Sequence, residues 1–227
     1  MDSGTSRGLV IFDCDGVLVD SEPLAARAYD SVLNAAGIVI QPGLMRDSIG
    51  LKQDDIFAKM ESATGRKIPP EVRAMLWPET RRLFEAELQP TAELVPFLEA
   101  LKARRCVASS SHLERIQLSL RLTSLEGYFG GHVFSTQMVK RGKPAPDIFL
   151  YAAEHMGAEP ADCVVIEDSA PGIQGARAAG MTAIGFLGGQ HAGPGHGKAL
   201  REAGATHLAQ SWAEVARLFT KEQLFAV

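Results

Sequence analysis

The chain has 227 residues, of which 46% are hydrophobic and 22% charged, and a formal net charge of −4 at pH 7. That length and apolar content suit one large or two small globular domains with a sizeable core. The acidic surplus argues against a general nucleic-acid binder. No stretch reaches the ~18 apolar residues of a membrane span, and the short polar segment Met1 to Gly8 lacks the apolar run of a secretory leader. A cytoplasmic protein, with no nucleic-acid or membrane partner, is expected. The three cysteines, Cys14, Cys106 and Cys163, are odd in number and form no CxxC pair, so packing is expected of them rather than disulfides or zinc.

The first element is the apolar run Leu9 to Phe12, a predicted buried strand that ends on two carboxylates, Asp13 and Asp15, with Gly16 next. Ligands of parallel α/β sheets bind beyond the carboxyl ends of strands. Two acids so close repel unless a cation lies between them, and hard oxygen ligands suit Mg²⁺. The alternative is a simple Asp–Gly turn. Cys14 lies between the acids, which raise its pKa and disfavour a reactive thiolate.

From Ser21 to about Leu88 the pattern is helical, with almost no strand signal. Helices are predicted over Ala25 to Ala36, Asp54 to Ala63, Pro70 to Leu76 and Glu79 to Leu88. This is too long for one crossover helix and reads as an inserted helical lobe. Val19–Pro23 and Gln89–Thr91 are its expected hinge strands. Such insertions often act as lids.

Beyond it, strands are predicted at Cys106–Ser109, His132–Ser135, Cys163–Ile166 and Thr182–Phe186. Helices are predicted at Leu94–Ala103, Ile148–Met156 and Pro171–Ala179. This alternation indicates a mainly parallel sheet.

Three later motifs sit at or after strand ends. Ser109, Ser110 and Ser111 suit either phosphate oxygens or a helix N-cap, and His112 follows them. Lys143, in Gly142-Lys143-Pro144-Ala145-Pro146-Asp147, is either a phosphoryl-charge neutraliser aimed by rigid prolines or a solvated turn lysine. Lys140 and Arg141 beside it are read as surface charges. Glu167 and Asp168 end the fourth strand and are either a second acidic strand tip completing a metal site or a turn with an N-cap from Asp168 or Ser169. The loop Gly188 to Gly197, with His191 and His196, reads as flexible rather than metal-binding. Trp77 and Trp212 read as core or hinge packing. The apolar tail Leu218 to Val227 is expected to dock on the core or a partner.

In this order the four motifs resemble the haloacid dehalogenase superfamily, over nearly the whole chain. Asp13-Cys14-Asp15-Gly16-Val17 is similar to its first motif, Ser109 to the second, Lys143 to the third and Glu167-Asp168 to the fourth. The insertion resembles the C1 cap, and the subgroup resembles the sugar-phosphate phosphatases and β-phosphoglucomutases, including phosphogluconate phosphatase-like members. The resemblance implies an α/β, Rossmann-like, mainly parallel core over residues 1–19 and 89–227, with a helical cap over 20–88.

It also implies roles. Asp13 would be the nucleophile and Asp15 the acid and base, while Ser109 and Lys143 would bind the phosphoryl group. Asp13, Asp15 through its main-chain carbonyl, Glu167 and Asp168 would hold Mg²⁺. Substrate contacts would come from Gly50, Leu51, Lys52, Ser110 and His112. An acid at position 15 favours phosphate-ester cleavage, since dehalogenases of the family lack it. No arginine follows Gly50, unlike the mutases, which favours a phosphatase over a β-phosphoglucomutase-like mutase. A non-catalytic binding module is the remaining alternative, although every expected acid is present. The implied partner is a small phosphorylated metabolite, on a monomer or small homo-oligomer.

Overall fold

A computed structural model describes residues 8–41, 44, 48, 51 and 53–225. Six parallel strands form one sheet in the order β3-β2-β1-β4-β5-β6. They are β1 (Leu9–Phe12), β2 (Arg104–Ser109), β3 (Val133–Ser135), β4 (Cys163–Glu167), β5 (Thr182–Phe186) and β6 (His207–Ala209). All five predicted strands are present. β6 went unpredicted because His207-Leu208-Ala209 offers no apolar run.

Side chains of successive strand residues point to opposite faces, and the two cores follow that period. Val10, Phe12, Val107, Val164 and Ile166 pack on one face, against α4 (Leu94–Ala100) and α9 (Trp212–Lys221). Leu9, Ile11, Cys106, Ala108 and Val165 pack on the other, against α6 (Asp147–His155) and α7 (Ala170–Ala178). The apolar tail docks on the chain's own core, with Phe219 buried and Leu224 and Phe225 packed beside it. All three cysteines are buried, and burial, more than the neighbouring Asp15 and Asp13, pushes the Cys14 thiol up.

Central β1 lies between β2 and β4, with Phe12 level with Val107 and Ile166. Strand order reverses here, and the crevice past such a switch point is the usual ligand position in open α/β sheets. Asp13 N–H donates to the Ile166 carbonyl at 3.0 Å, which sets Asp13 level with the end of β4.

Between β1 and β2 run α1 (Glu22–Ala35), α2 (Gln53–Thr64) and α3 (Pro70–Glu87). Two helices were predicted where α3 is one. Pro78 removes a bond inside it, but Val72, Leu76, Thr80, Leu83 and Phe84 remain one buried stripe, and its packing against α1 carries the helix through. At the expected hinge the structure holds an antiparallel bridge, Val19 to Pro90, rather than two strands. Asp20 N–H donates to Gln89 O and Thr91 N–H to Leu18 O, both at 3.0 Å. Helices α5 (Leu113–Leu122) and α8 (His196–Glu202) complete the fold and were also unpredicted.

Candidate active site

The tips of β1, β2 and β4 open into a cleft of about 430 Å³, lined from the sheet by Asp13, Asp15, Ser109 and Asp168 and from the insertion by Tyr29, Leu51 and Trp77. A buried cluster forms its floor. Asp13, Glu167 and Asp168 bring one carboxylate oxygen each to within 4.8 Å of one another. Lys143 Nζ sits between two of them, 2.6 Å from Asp13 Oδ1 and 2.7 Å from Glu167 Oε2, and its side chain is 1% exposed. The expectation of a solvated turn lysine is thereby set aside. Lys140 and Arg141 are exposed, as expected, and Arg141 pairs with Asp147.

Three buried carboxylates share one ammonium. Burial first, then the charge of Glu167, pushes the carboxyls of Asp13 and Asp168 well above the ordinary carboxylate range. Burial opposes the charge on Lys143, but Asp13 and Glu167 outweigh it and hold the ammonium above its usual value. Excess negative charge out of water is costly unless a cation offsets it. The oxygen donors that Asp13, Glu167 and Asp168 bring together fit a hard divalent cation.

Asp15 is built differently. Its Oδ1 accepts from Ser21 Oγ at 2.6 Å and from Arg115 Nη2 at 2.7 Å, and its Oδ2 accepts from Ser111 Oγ at 2.5 Å. Burial pushes its carboxyl up, but Arg115 and the two hydroxyls outweigh that and hold it below its usual value. The side chain therefore turns away from the acid cluster, which leaves only its main-chain carbonyl for the metal role expected of it. Gly16, which follows, has φ +76°, and a methyl group there would lie 2.0 Å from Asp168 Oδ2, so only glycine fits the turn.

Ser109 is buried, and its Oγ accepts from Ser111 N–H at 3.1 Å. Ser110 and His112 line the cleft. The N-cap of α5 is His112 rather than a serine. Its Nδ1 accepts from Arg115 N–H at 3.3 Å, which takes that nitrogen out of substrate binding. Trp77 is no core residue, because it meets the His112 ring edge-on across the cleft at 4.6 Å. Trp212 is buried and donates to Thr91 Oγ1 at the hinge. Gly50 and Lys52 lie outside the described residues.

Glu167 Oε1 accepts from Ser169 N–H and Oγ, and Ser169 Oγ in turn caps α7 through Gly172 N–H. The acidic strand tip and the N-cap are thus both real. Sequence reasoning missed Arg115, Ser111 and Ser21 as partners of Asp15, and the packing of the Gly188–Gly197 loop against Asp168. His191 is buried against Asp168, and His196 Nε2 donates to the Asp168 main-chain carbonyl at 2.6 Å. Nothing local signals such contacts, which join residues 100 and 28 apart.

Three known proteins are similar to this chain. The chain is 31% identical over 187 residues to a 6-phosphogluconate phosphatase from Escherichia coli, covering 82% of this chain and 85% of that protein. It is 35% identical over 203 residues to a phosphorylated carbohydrates phosphatase from Thermotoga maritima, covering 88% and 92%. A crystal structure of a haloacid dehalogenase-like protein of unknown function from Agrobacterium tumefaciens superimposes with a TM-score of 0.84 at 34% identity, covering 95% of this chain and 99% of that one. Residues 8–180 match the haloacid dehalogenase-like hydrolases, and to that family this chain belongs.

Proposed function

We propose that this hydrolase is a Mg²⁺-dependent phosphatase acting on a small phosphorylated carbohydrate, a sugar phosphate or sugar-acid phosphate, through an aspartyl-phosphate on Asp13. The observation that carries the reading is the convergence of Asp13, Glu167 and Asp168 around Lys143 at the floor of the cleft. The phosphatase names of two relatives support it.

A carboxylate oxygen of Asp13 attacks phosphorus in line with the departing ester oxygen, forming the acyl phosphate. Asp15, ionised under Arg115 and two hydroxyls here, first takes up a proton and then gives it to the leaving alcohol. It then takes a proton from a water that attacks phosphorus, which releases inorganic phosphate and restores Asp13. Lys143 and Ser109 bind the phosphoryl oxygens. Positioning and charge complementarity supply most of the acceleration in such transfers. The cation would be held by the carboxylates of Asp13 and Asp168 and the Asp15 main-chain carbonyl, with Glu167 as a direct ligand or through a water. When bound, it offsets negative charge on the phosphoryl group.

Residues 20–88 act as the cap, and Leu51 and Ser110 face the rest of the substrate, with Gly50 and Lys52 as further substrate contacts on the sequence resemblance alone. Leu51, Tyr29 and Trp77 in the cleft lining support that division. Hydrolysis of p-nitrophenyl phosphate tests the reading. Activity should require Mg²⁺, vanish in EDTA and vanish in Asp13→Asn. Turnover by Asp13→Asn at the parent rate would remove the nucleophile. A panel of sugar, hexitol and sugar-acid phosphates then ranks substrates by kcat/KM.

A further inference from the structure

The loop Gly188–Gly197 is not used by the chemistry proposed above, yet it is folded onto Asp168 from two sides. His196 Nε2 lies 2.6 Å from the Asp168 main-chain oxygen. That oxygen can only accept, so Nε2 carries the hydrogen and the tautomer of His196 is set. His191 Nε2 lies 2.9 Å from Asp168 Oδ2, with side-chain exposures of 6% and 1%. Neither of those two atoms makes an aligned hydrogen bond to anything. Two buried polar atoms face each other at bonding distance, out of line, and have no other partner. Leaving such a pair unmade is costly in a buried site. The last torsions of both side chains are soft, so the pair can come into line by small rotations.

The slot that holds the pair is bare of side chains. A methyl group at Gly16 would lie 2.0 Å from Asp168 Oδ2 and 2.7 Å from His191 Cε1, and one at Gly189 would lie 2.8 Å from His191 Cε1. Both glycines therefore clear space for an imidazole against this one carboxylate. His191 is not within ligand distance of the whole acid cluster, which joins only Asp13, Glu167 and Asp168. Its reach is to the outer oxygen of Asp168.

We propose that His191 is a positioning residue for the divalent cation: its Nε2–H holds Asp168 Oδ2 and so presents the other carboxylate oxygen to the ion. Hydrogen-bond partners of metal-ligating carboxylates fix their orientation, and losing one typically weakens metal binding by about 10–100-fold. The assignment rests on the phosphatase reading only in needing a cation at this site.

Calorimetric titration of EDTA-stripped full-length protein with MgCl₂ tests it. His191→Ala should raise the Mg²⁺ Kd by about 10–100-fold, and the Mg²⁺ concentration for half-maximal hydrolysis by the same factor. His191→Gln, whose amide nitrogen reaches the same place, should restore most of the affinity. A purely structural role would not separate alanine from glutamine in this way. An unchanged Kd in His191→Ala, or a His191→Gln as weak as the alanine variant, overturns the assignment and leaves the phosphatase reading standing. Wild-type protein that takes up no Mg²⁺ overturns both. Should His191→Ala fail to fold, nitrogen NMR of the wild-type imidazoles decides, because the His191 Nε2–H signal should move on adding Mg²⁺. A signal that stays put refutes the assignment.

Discussion

Arg115 holds Asp15 with a guanidinium that also lies over the Phe84 ring of α3, at 2.7 Å from the carboxylate and 5.0 Å from the ring centroid. One side chain therefore joins the proposed acid and base to the inserted lobe. Arg115→Met is expected to lower kcat by roughly 10²–10⁴-fold on a sugar phosphate, the usual range for a lost general acid or base. The loss should be smaller on p-nitrophenyl phosphate, whose leaving group needs little protonation. Steady-state kinetics on both substrates checks this, and equal losses would mean that Arg115 acts on binding instead.

Lys143→Met leaves Asp13 and Glu167 buried with no counter-charge. Removing one partner of a buried ion pair costs about 3–5 kcal/mol. Urea unfolding should show a loss of that size in EDTA and a smaller one in saturating Mg²⁺, where the cation takes over part of the charge. A midpoint shift that Mg²⁺ does not reduce would contradict a cation at these carboxylates.

A methyl group on Gly172 would fall 2.0 Å from Glu167 Cδ. Gly172→Ala is therefore expected to displace Glu167 and cost about 1–3 kcal/mol through overpacking, together with a weaker Mg²⁺ interaction. Gly37→Ser is the control, since nothing lies within 4 Å of that position, though its φ of +66° adds some strain of its own. Mg²⁺ titration of both variants separates the two effects.

In the inserted lobe, Glu61 accepts from Lys67, from Ile68 N–H and from Arg73, and its carboxyl falls from 4.5 to about 2. Lys67 is 90% exposed and contributes little stability. The folded value lies below the unfolded one, so the stabilisation is present above about pH 4.5 and is lost as pH falls toward 2. Thermal unfolding of Glu61→Gln should show a deficit at neutral pH that closes as the solution is acidified. A deficit constant with pH would mean that the side chain acts by packing alone.

Strand ends were the most legible part of the sequence. β1 appears with the predicted limits, because a fully apolar run ended by a turn signal leaves little choice of conformation. The apolar runs of β1 and β4 placed Asp13 and Glu167-Asp168 at neighbouring tips, and in the structure these acids meet. Short or weakly apolar elements were not legible. β6 spans only His207–Ala209, and α5 begins on a histidine cap, which no common capping preference announces. Arg115 was invisible for a related reason. Its place opposite Asp15 depends on how far α5 reaches across the sheet, and that is a tertiary quantity. The packing of His191 and His196 was not legible because glycine content suggests freedom, whereas here the glycines make room for rings.

The bridge from Val19 to Pro90 has a consequence for inheritance. The inserted lobe leaves and rejoins the sheet at two residues that touch, so a lineage can exchange everything between them without lengthening a strand or shifting a register. Replacing everything between them would leave every strand length and register of the sheet, and the acids at its tips, where they are.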